Sequence, residues 1–363
     1  MPWRLPGPIR RSPLLPSCSR YGSTAASSRV SKPLPLRILF CGSDEFSIAS
    51  LRALSAVKHA EPQLIKSINV VHRPAKPTGR GMKTLREVPI KQVATEELSL
   101  QTHAVDTFTG WTPPRPIDLV IAVSFGLFVP PRILGLARYG GLNVHPSLLP
   151  DLRGPAPIEH ALLKQRKLTG ISIQTLDPKQ FDHGTILAQT AAPGIQIPPD
   201  MSAALLEEQL AKTGAEMLVD ALKAHKFVPP LEDVGWYAKS DGPIHHAPKI
   251  TKKDRFIDFK VNTIADIFSI QYALGDGWCI LPNGDRLIVH KIADTGMVDS
   301  ANREPGIWVL KGSDSPLFRD TDGRIGVILK STYAGNKTGH GNAKLLHTIP
   351  AQEPDERGIV FKP

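Results

Sequence analysis

At 363 residues, with 41% hydrophobic and 21% charged side chains, the chain is long enough for two domains with proper cores, and it has no apolar run long enough to cross a bilayer. Its three cysteines, Cys18, Cys41 and Cys279, form no metal spacing and no disulfide framework, which points to a reducing interior. The net charge of +10 is unevenly placed: Arg4, Arg10, Arg11, Arg20, Arg29, Lys32 and Arg37 fall within the first 43 residues without one acidic partner, leaving only about +3 for the remainder.

Residues 1–35, rich in arginine and serine and free of acid, have the composition of an organellar transit peptide and are set outside the fold. Prolines at 2, 6, 8, 13 and 16 weaken any amphipathic helix there. The apolar run at 36–41, closed by Gly42-Ser43, predicts a buried parallel strand, followed by a helix from Asp44 and Glu45 to about Val57. Further runs at 68–71 and 119–123 alternate with helical stretches, which predicts an α/β fold built on a doubly wound, mostly parallel sheet. No Gly-x-Gly-x-x-Gly follows the first strand, which argues against a nicotinamide dinucleotide site. The segment from Arg73 through Lys76 and Arg80 to Lys83 carries four cations, no acid, and glycines at 79 and 81. Long basic side chains on such a backbone suit phosphate contacts; a plain solvated loop has the same composition.

After the 119–123 run, Phe125, Gly126, Leu127, Phe128 and Val129 lead through two prolines into a short helix. These side chains either pack in the core or wall a slot for a flat ligand at the carboxyl end of a strand. Asn143 and His145 then lie two apart on a short extended run, so both project from one face. With a carboxylate to hold the imidazole protonated, that face suits acyl transfer in which an oxyanion develops while an attacking amine loses a proton. Asp182 is the preferred carboxylate and Asp177 its rival. A strand follows at 186–189. The long helix at 203–224 sets Leu205, Leu206, Leu210, Met217 and Leu218 at core spacing. Residues 225–249, with Val228-Pro-Pro230 and Gly242-Pro243, read as an interdomain connection. Beyond it, β-like segments at 286–291, 306–311 and 324–330, turns at Asn283-Gly284 and Asp322-Gly323, and one helix near 263–274 predict a small barrel. The expected division is thus 36–227 for a catalytic domain, 228–248 for a linker and 249–363 for an OB-like β-barrel. His183, His245 and His246 show no metal-ligand pattern, and no metal is expected.

The string from Asn143 to Pro157, with its Ser147-Leu-Leu-Pro150 loop, its Arg153-Gly154-x-x-Pro157 turn and the later Asp182-His-Gly184, resembles the folate-dependent formyltransferases, the tRNA-formylating branch in particular. The resemblance covers about 36–360 and is densest from Asp118 to Gly184. It implies a 10-formyltetrahydrofolate donor, a pterin pocket lined by residues 125–129 together with Ser147, Leu148, Leu149 and Pro150, and catalysis by Asn143, His145 and Asp182. The loop between Asp177 and Asp182 is one residue longer than the common bacterial form, which is why Asp177 is weighed at all. The implied acceptor is methionine esterified to initiator tRNA, with Arg73, Lys76, Arg80, Lys83 and Lys337 facing the RNA. The loop tip carries Ala75-Lys-Pro-Thr78 where the family's form has one residue, so the side-chain register at the tip stays open. A monomeric enzyme of the mitochondrial matrix, bound to no membrane, is the expectation. A formyltetrahydrofolate hydrolase, a sugar-nucleotide formyltransferase and a catalytically idle RNA-binding factor are the alternatives.

Overall fold

The computed structural model describes residues 35–299, 303–352 and 359–361. The expected transit segment lies outside these residues. The chain begins with strand β1 (Leu36–Gly42) and helix α1 (Glu45–Ala60), followed by β2 (Ile65–His72). Asp44 starts α1 because its side chain accepts the Ser47 N–H while Ser47 returns a bond to the Asp44 backbone. A small hairpin follows, β3 (Lys76–Thr78) and β4 (Thr84–Arg86), then the short helix α2 (Pro89–Gln92) and β5 (Gln101–Ala104). Next come β6 (Leu119–Val123), α3 (Pro131–Leu134), β7 (Gly141–His145) and α4 (Pro157–Leu163). Two short strands, β8 (Leu168–Thr169) and β11 (Ile195–Gln196), pair with each other and bracket β9 (Ser172–Thr175) and β10 (Ile186–Gln189).

Among the described residues the first sheet has the order β10-β9-β7-β6-β1-β2-β5. The five strands from β7 to β5 run parallel, and β9 and β10 add an antiparallel edge, as expected for a mostly parallel doubly wound sheet. Alternate residues of β1 feed opposite cores. Ile38 and Phe40 pack with Phe46, Leu51 and Leu54 of α1 and with the long helix α5 (Ala203–Lys223), whereas Leu39 and Cys41 meet Phe108, Val120 and Ile133. Burial on both faces is why these strands read as unbroken apolar runs.

Within α5 the core set is Leu206, Leu210, Leu218 and Leu222. Leu205, expected in the core, is 57% exposed, because one residue advances the helix by about 100° and carries it off the buried stripe. The connection at 228–248 is also not a free linker. Val234 donates to Ile186 O, the Trp236 indole to Thr190 O, Tyr237 N–H to the Gln189 side chain, and Ala247 N–H to Arg153 O, so the segment is bonded along β10 and the turn before α4.

The second sheet has the order β12-β13-β16-β15-β14-β17, from β12 (Gly277–Ile280), β13 (Arg286–Asp299), β14 (Gly306–Leu310), β15 (Leu317–Arg319), β16 (Arg324–Tyr333) and β17 (Ala351–Gln352). The last described strand, β18 (Ile359–Phe361), pairs with the far end of β13. Bulges along the long β13 coil the sheet as a small barrel requires. Helix α6 (Ile264–Leu274), capped by Thr263, lays Ile267 and Ile270 against Leu287, Val289 and Phe318. The turns at Gly284 and Gly323 have φ of +86° and +81°, the left-handed geometry their position predicts. Strands β12 and β15 and helix α7 (Gly341–Thr348) are additions to the expected elements. Both sheets belong to one compact unit.

One ion pair ties β1 to the start of β6. The Arg37 Nε and Nη2 groups donate to the two Asp118 oxygens at 2.8 Å each, and the Arg37 N–H adds a bond of 2.9 Å. The Arg37 bonds hold the Asp118 carboxyl below its ordinary range. A depressed carboxyl contributes stability above its unfolded value of about 3.9 and loses it as pH falls through the folded value. Asp118→Asn is therefore less stable than the parent chain at pH 7, and urea midpoints of the two proteins converge as pH is lowered below about 4.

Candidate active site

Asn143 and His145 sit near the carboxyl end of β7, paired to Gln174 and Ser172 of β9 on one side, while Asn143 faces Ala122 of β6 on the other. The carboxyl ends of parallel strands in open α/β sheets form the crevice where ligands bind. Asp182 arrives from the β9–β10 turn. Its side chain is 8% exposed, and its backbone has φ of +58°. The Asp182 Oδ1 accepts the Asn143 amide at 3.2 Å and the Gln174 amide at 2.9 Å, and Oδ2 accepts the Gly154 N–H at 2.9 Å. The Arg153 Nε donates to the Asp182 carbonyl at 2.7 Å, fixing the backbone as well. His145 Nε2 lies 3.0 Å from Leu152 O, and Nδ1 stands 3.4 Å from Asp182 Oδ1. The second distance is longer than an ordinary N–H···O bond, so Nδ1 faces the Asp182 carboxylate without a short hydrogen bond.

The structure thus brings together the three residues expected to act. Asp177 takes a different part: its Oδ1 accepts the N–H groups of Lys179 and Gln180 at 2.8 Å, and these bonds hold its carboxyl below the ordinary range while it shapes the turn. Gln174 was not among the expected residues, although it is 1% exposed and holds both Asp182 and the Gly184 N–H. Its signal was present: in Ile171-Ser-Ile-Gln174 two polar residues alternate with two apolar ones on a buried strand. The Gly154 N–H carries no side-chain signal at all.

These groups floor a cavity of about 520 Å³. One wall is the loop from Phe125 to Val129, which leaves β6 through left-handed backbone at Ser124 (φ +46°) and Gly126 (φ +74°). Phe125 and Val129 turn into the core, while Phe128 meets Phe181 edge-on at 5.2 Å, with Phe181 60% exposed at the rim. The lining also includes Asp44, Glu159 and Glu207. Burial pushes the Asp44 carboxyl up against the lowering effect of its bonds from Ser47 and Ser124, and burial beside Asp44 pushes Glu207 up.

Ser147, Leu148, Leu149 and Pro150, expected to line the pocket with residues 125–129, do not line it. The Ser147 hydroxyl donates to Asp151 O, Ser172 Oγ donates to Ser147 O and accepts from Leu149 N–H, and Leu148 packs under Gly170 and Gly194. These bonds secure the β7–α4 connection.

The β3–β4 hairpin carries Lys76 and Lys83 in exposed positions, with Gly79 (φ +78°) and Gly81 (φ +77°) at its tip and Met82 and Leu85 about two-thirds exposed at 64% and 68%. The side chain of Arg80 lies outside the described residues. Arg73 does not join this exposed group: its guanidinium is held by the Asp106 carboxylate at 2.8 Å and by the Asp106 carbonyl. Lys337 is exposed in the turn between β16 and α7. Among the described residues, no group of three or more His, Cys, Asp or Glu side chains is placed to hold a metal ion.

An open α/β sheet with an Asn-His-Asp cluster under a half-apolar cavity at its strand ends defines a group-transfer enzyme of the formyltransferase kind. A family model described as formyl transferase matches residues 36–222, and the chain belongs to that family. It is similar to the mitochondrial methionyl-tRNA formyltransferases of Homo sapiens, at 34% identity over 74% of this chain and 64% of that one, and of Mus musculus, at 34% identity over 91% and 86%. The match thus spans less than two thirds of the human protein's length. In fold, the chain resembles a sugar 3N-formyl transferase solved with dTDP and 5-N-formyl-THF, with a TM-score of 0.53 at 14% identity over 84% of this chain and 100% of that one.

The Asp182 turn depends on Gly184, where an added Cβ would overlap the Thr175 carbonyl. Backbone cannot yield as a flexible side chain does, so Gly184→Ala displaces the turn at a cost of about 1–3 kcal/mol or more. The expected outcome is a lowered Tm in thermal unfolding together with loss of the cavity's ligand affinity.

Proposed function

We propose that this chain transfers the formyl group of 10-formyltetrahydrofolate to the α-amino group of methionine carried on initiator tRNA. The observation that carries the reading is the convergence of Asn143, His145 and Asp182 on the floor of one cavity whose wall is apolar. A flat ring with a hydrogen-bonding edge fits such a wall, with Leu127 and Phe128 on its face and the backbone of residues 124–126 at its edge. The donor supplies the activated formyl carbon, and the residues of this chain supply position and charge. As the amine's C–N bond forms, negative charge grows on the formyl oxygen, and the Asn143 amide and the His145 imidazole are the groups that stabilise it. Asp182 holds both of these groups, and it stands where it can take the proton the amine loses and pass it to the nitrogen that departs. The chemistry needs no covalent enzyme intermediate, because the amine attacks the formyl carbon directly.

A macromolecular acceptor fits what surrounds the cavity. The basic hairpin with exposed Lys76 and Lys83, and Lys337 beside the second sheet, offer cations to a phosphate-bearing acceptor. We place the enzyme in the mitochondrial matrix, acting as a monomer, with residues 1–35 as its address; the mitochondrial relatives and the acid-free basic composition of that segment support this.

Formylation of purified methionyl-initiator tRNA in the presence of 10-formyltetrahydrofolate tests the reading directly. His145→Ala and Asp182→Asn are each expected to lower kcat by roughly a hundred- to a thousandfold, the effect of losing one group that acts on transition-state charge. Asp177→Asn keeps most of its activity. Parental rates in either of the first two variants, or water outcompeting the tRNA as acceptor, would refute the assignment.

Arg80→Ala is expected to weaken use of the tRNA by about 1–3 kcal/mol while leaving folate affinity unchanged. An unchanged kcat/KM for tRNA would reduce the hairpin to a solvated surface feature. Deleting residues 1–30 should leave formylation in vitro intact and abolish import into isolated mitochondria. Import of the shortened chain would contradict the address.

A further inference from the structure

A second cavity, of about 530 Å³, lies where helix α4 ends and the connecting segment crosses it. Its lining includes Lys164, Arg166 and Lys167 on one side and Trp236, Tyr237 and Ser240 on the other, and no carboxylate. Lys164 and Lys167 are exposed, and among the described residues neither forms an ion pair with a carboxylate. Arg166 is anchored from behind: its Nη2 lies 3.2 Å from the buried Asp151 carboxylate and 2.9 Å from His245 Nδ1. The aromatic wall is held by its own bonds, Trp236 Nε1 to Thr190 O at 2.7 Å and Tyr237 OH to Pro243 O at 3.2 Å, with Gly242 packed on the Tyr237 ring. With Arg166 paired to Asp151, Lys164 and Lys167 are the cations left to a ligand, and holding both around a concave space costs electrostatic free energy that an anion relieves. The turn that supplies them, Lys164-Gln-Arg-Lys167, is not part of any string that suggested the function above.

We propose that this cavity is a phosphate-binding site that takes the sugar–phosphate backbone of the RNA acceptor, with Lys164 and Lys167 on the phosphate and the Trp236–Tyr237 wall beside the base. Cations that track a phosphate next to aromatic rings that stack a base are the two elements of single-strand recognition. The position suits a strand leading to the first cavity. Glu159 and Pro157, at the start of α4, line that cavity, and Lys164 follows the last residue of the same helix. Seven helical residues span about 10 Å, a distance bridged by two nucleotides or so. The inference rests on the RNA-acceptor reading of the chain. Phosphate is equally the handle of a free nucleotide, so the test separates the two sources.

The experiment measures binding of a short single-stranded RNA, of adenosine monophosphate and of inorganic phosphate to the full chain, over a range of salt, alongside formylation of methionyl-tRNA. It compares the parent with Lys164→Ala/Lys167→Ala and with Lys212→Ala, a control that removes one exposed charge from α5. The expected result is a roughly tenfold loss of RNA affinity in the double variant. The salt slope should fall by about 1.4, since each phosphate contact on a single strand contributes about 0.7. Lys212→Ala should match the parent, and Trp236→Phe should keep the salt slope while weakening RNA affinity less than the double variant does. Equal RNA affinity and slope in parent and double variant overturns the proposal. So does binding of adenosine monophosphate or phosphate that the double variant loses while RNA affinity is kept, which would mark a small-anion site. Loss of RNA binding in the double variant with no formylation by the parent chain leaves this site standing and removes the formyl-transfer reading instead.

Discussion

The Asp182 carboxylate is buried, and a buried charge is tolerated only when hydrogen bonds replace the water it has lost. Three donors from three different elements do this: the Asn143 amide from β7, the Gln174 amide from β9 and the Gly154 N–H from the turn before α4. Hydrogen bonds to charged groups contribute about 1.5–3 kcal/mol each, so the carboxylate is also the point at which these elements are drawn together. His145 is set by the same centre, between Asp182 and the Leu152 carbonyl. The geometry of the floor is therefore a consequence of satisfying one charge. Asp182 adopts left-handed backbone to reach this position, and Gly184 lets the turn pass close to the Thr175 carbonyl, where a Cβ would not fit.

The walls obey a different constraint. A parallel sheet covered on both faces leaves its strand ends as the place where backbone can open into a cleft, and the loop after β6 does so through Ser124 and Gly126. Phe125 and Val129 return to the core beneath β6, which stiffens the loop, while Phe128 stays at the cavity with Phe181. Two carboxyls pushed up by burial, Asp44 and Glu207, also line the cavity, Asp44 beside Ser124 at the start of that loop.

The segment that connects the two sheets is itself bonded to the first of them. Bonds from Val234, Trp236, Tyr237 and Ala247 run along β10 and the turn before α4, the same turn whose Gly154 N–H reaches Asp182.

Residues 36–41, 68–71 and 119–123 revealed their strands because burial on both faces demands unbroken apolar runs, and Asp44, Thr263, Asn283-Gly284 and Asp322-Gly323 marked their caps and turns because those conformations tolerate few other residues. Asn143 and His145 were legible as a pair because two-residue spacing on a strand fixes a common face. Contacts between segments distant in the chain left no such mark. Whether Asp177 or Asp182 meets His145 depends on the β9–β10 turn, and the bonds that fix Ser147 and Leu149 come from Ser172, some 25 residues away. The freedom of Arg73 ended at Asp106, and Leu205 left the core by a single step of helix rotation. Local periodicity and turn chemistry are properties of neighbouring residues and can be read from their order, whereas the partner of a charge or a hydroxyl is chosen by packing, which exists only once the chain has folded.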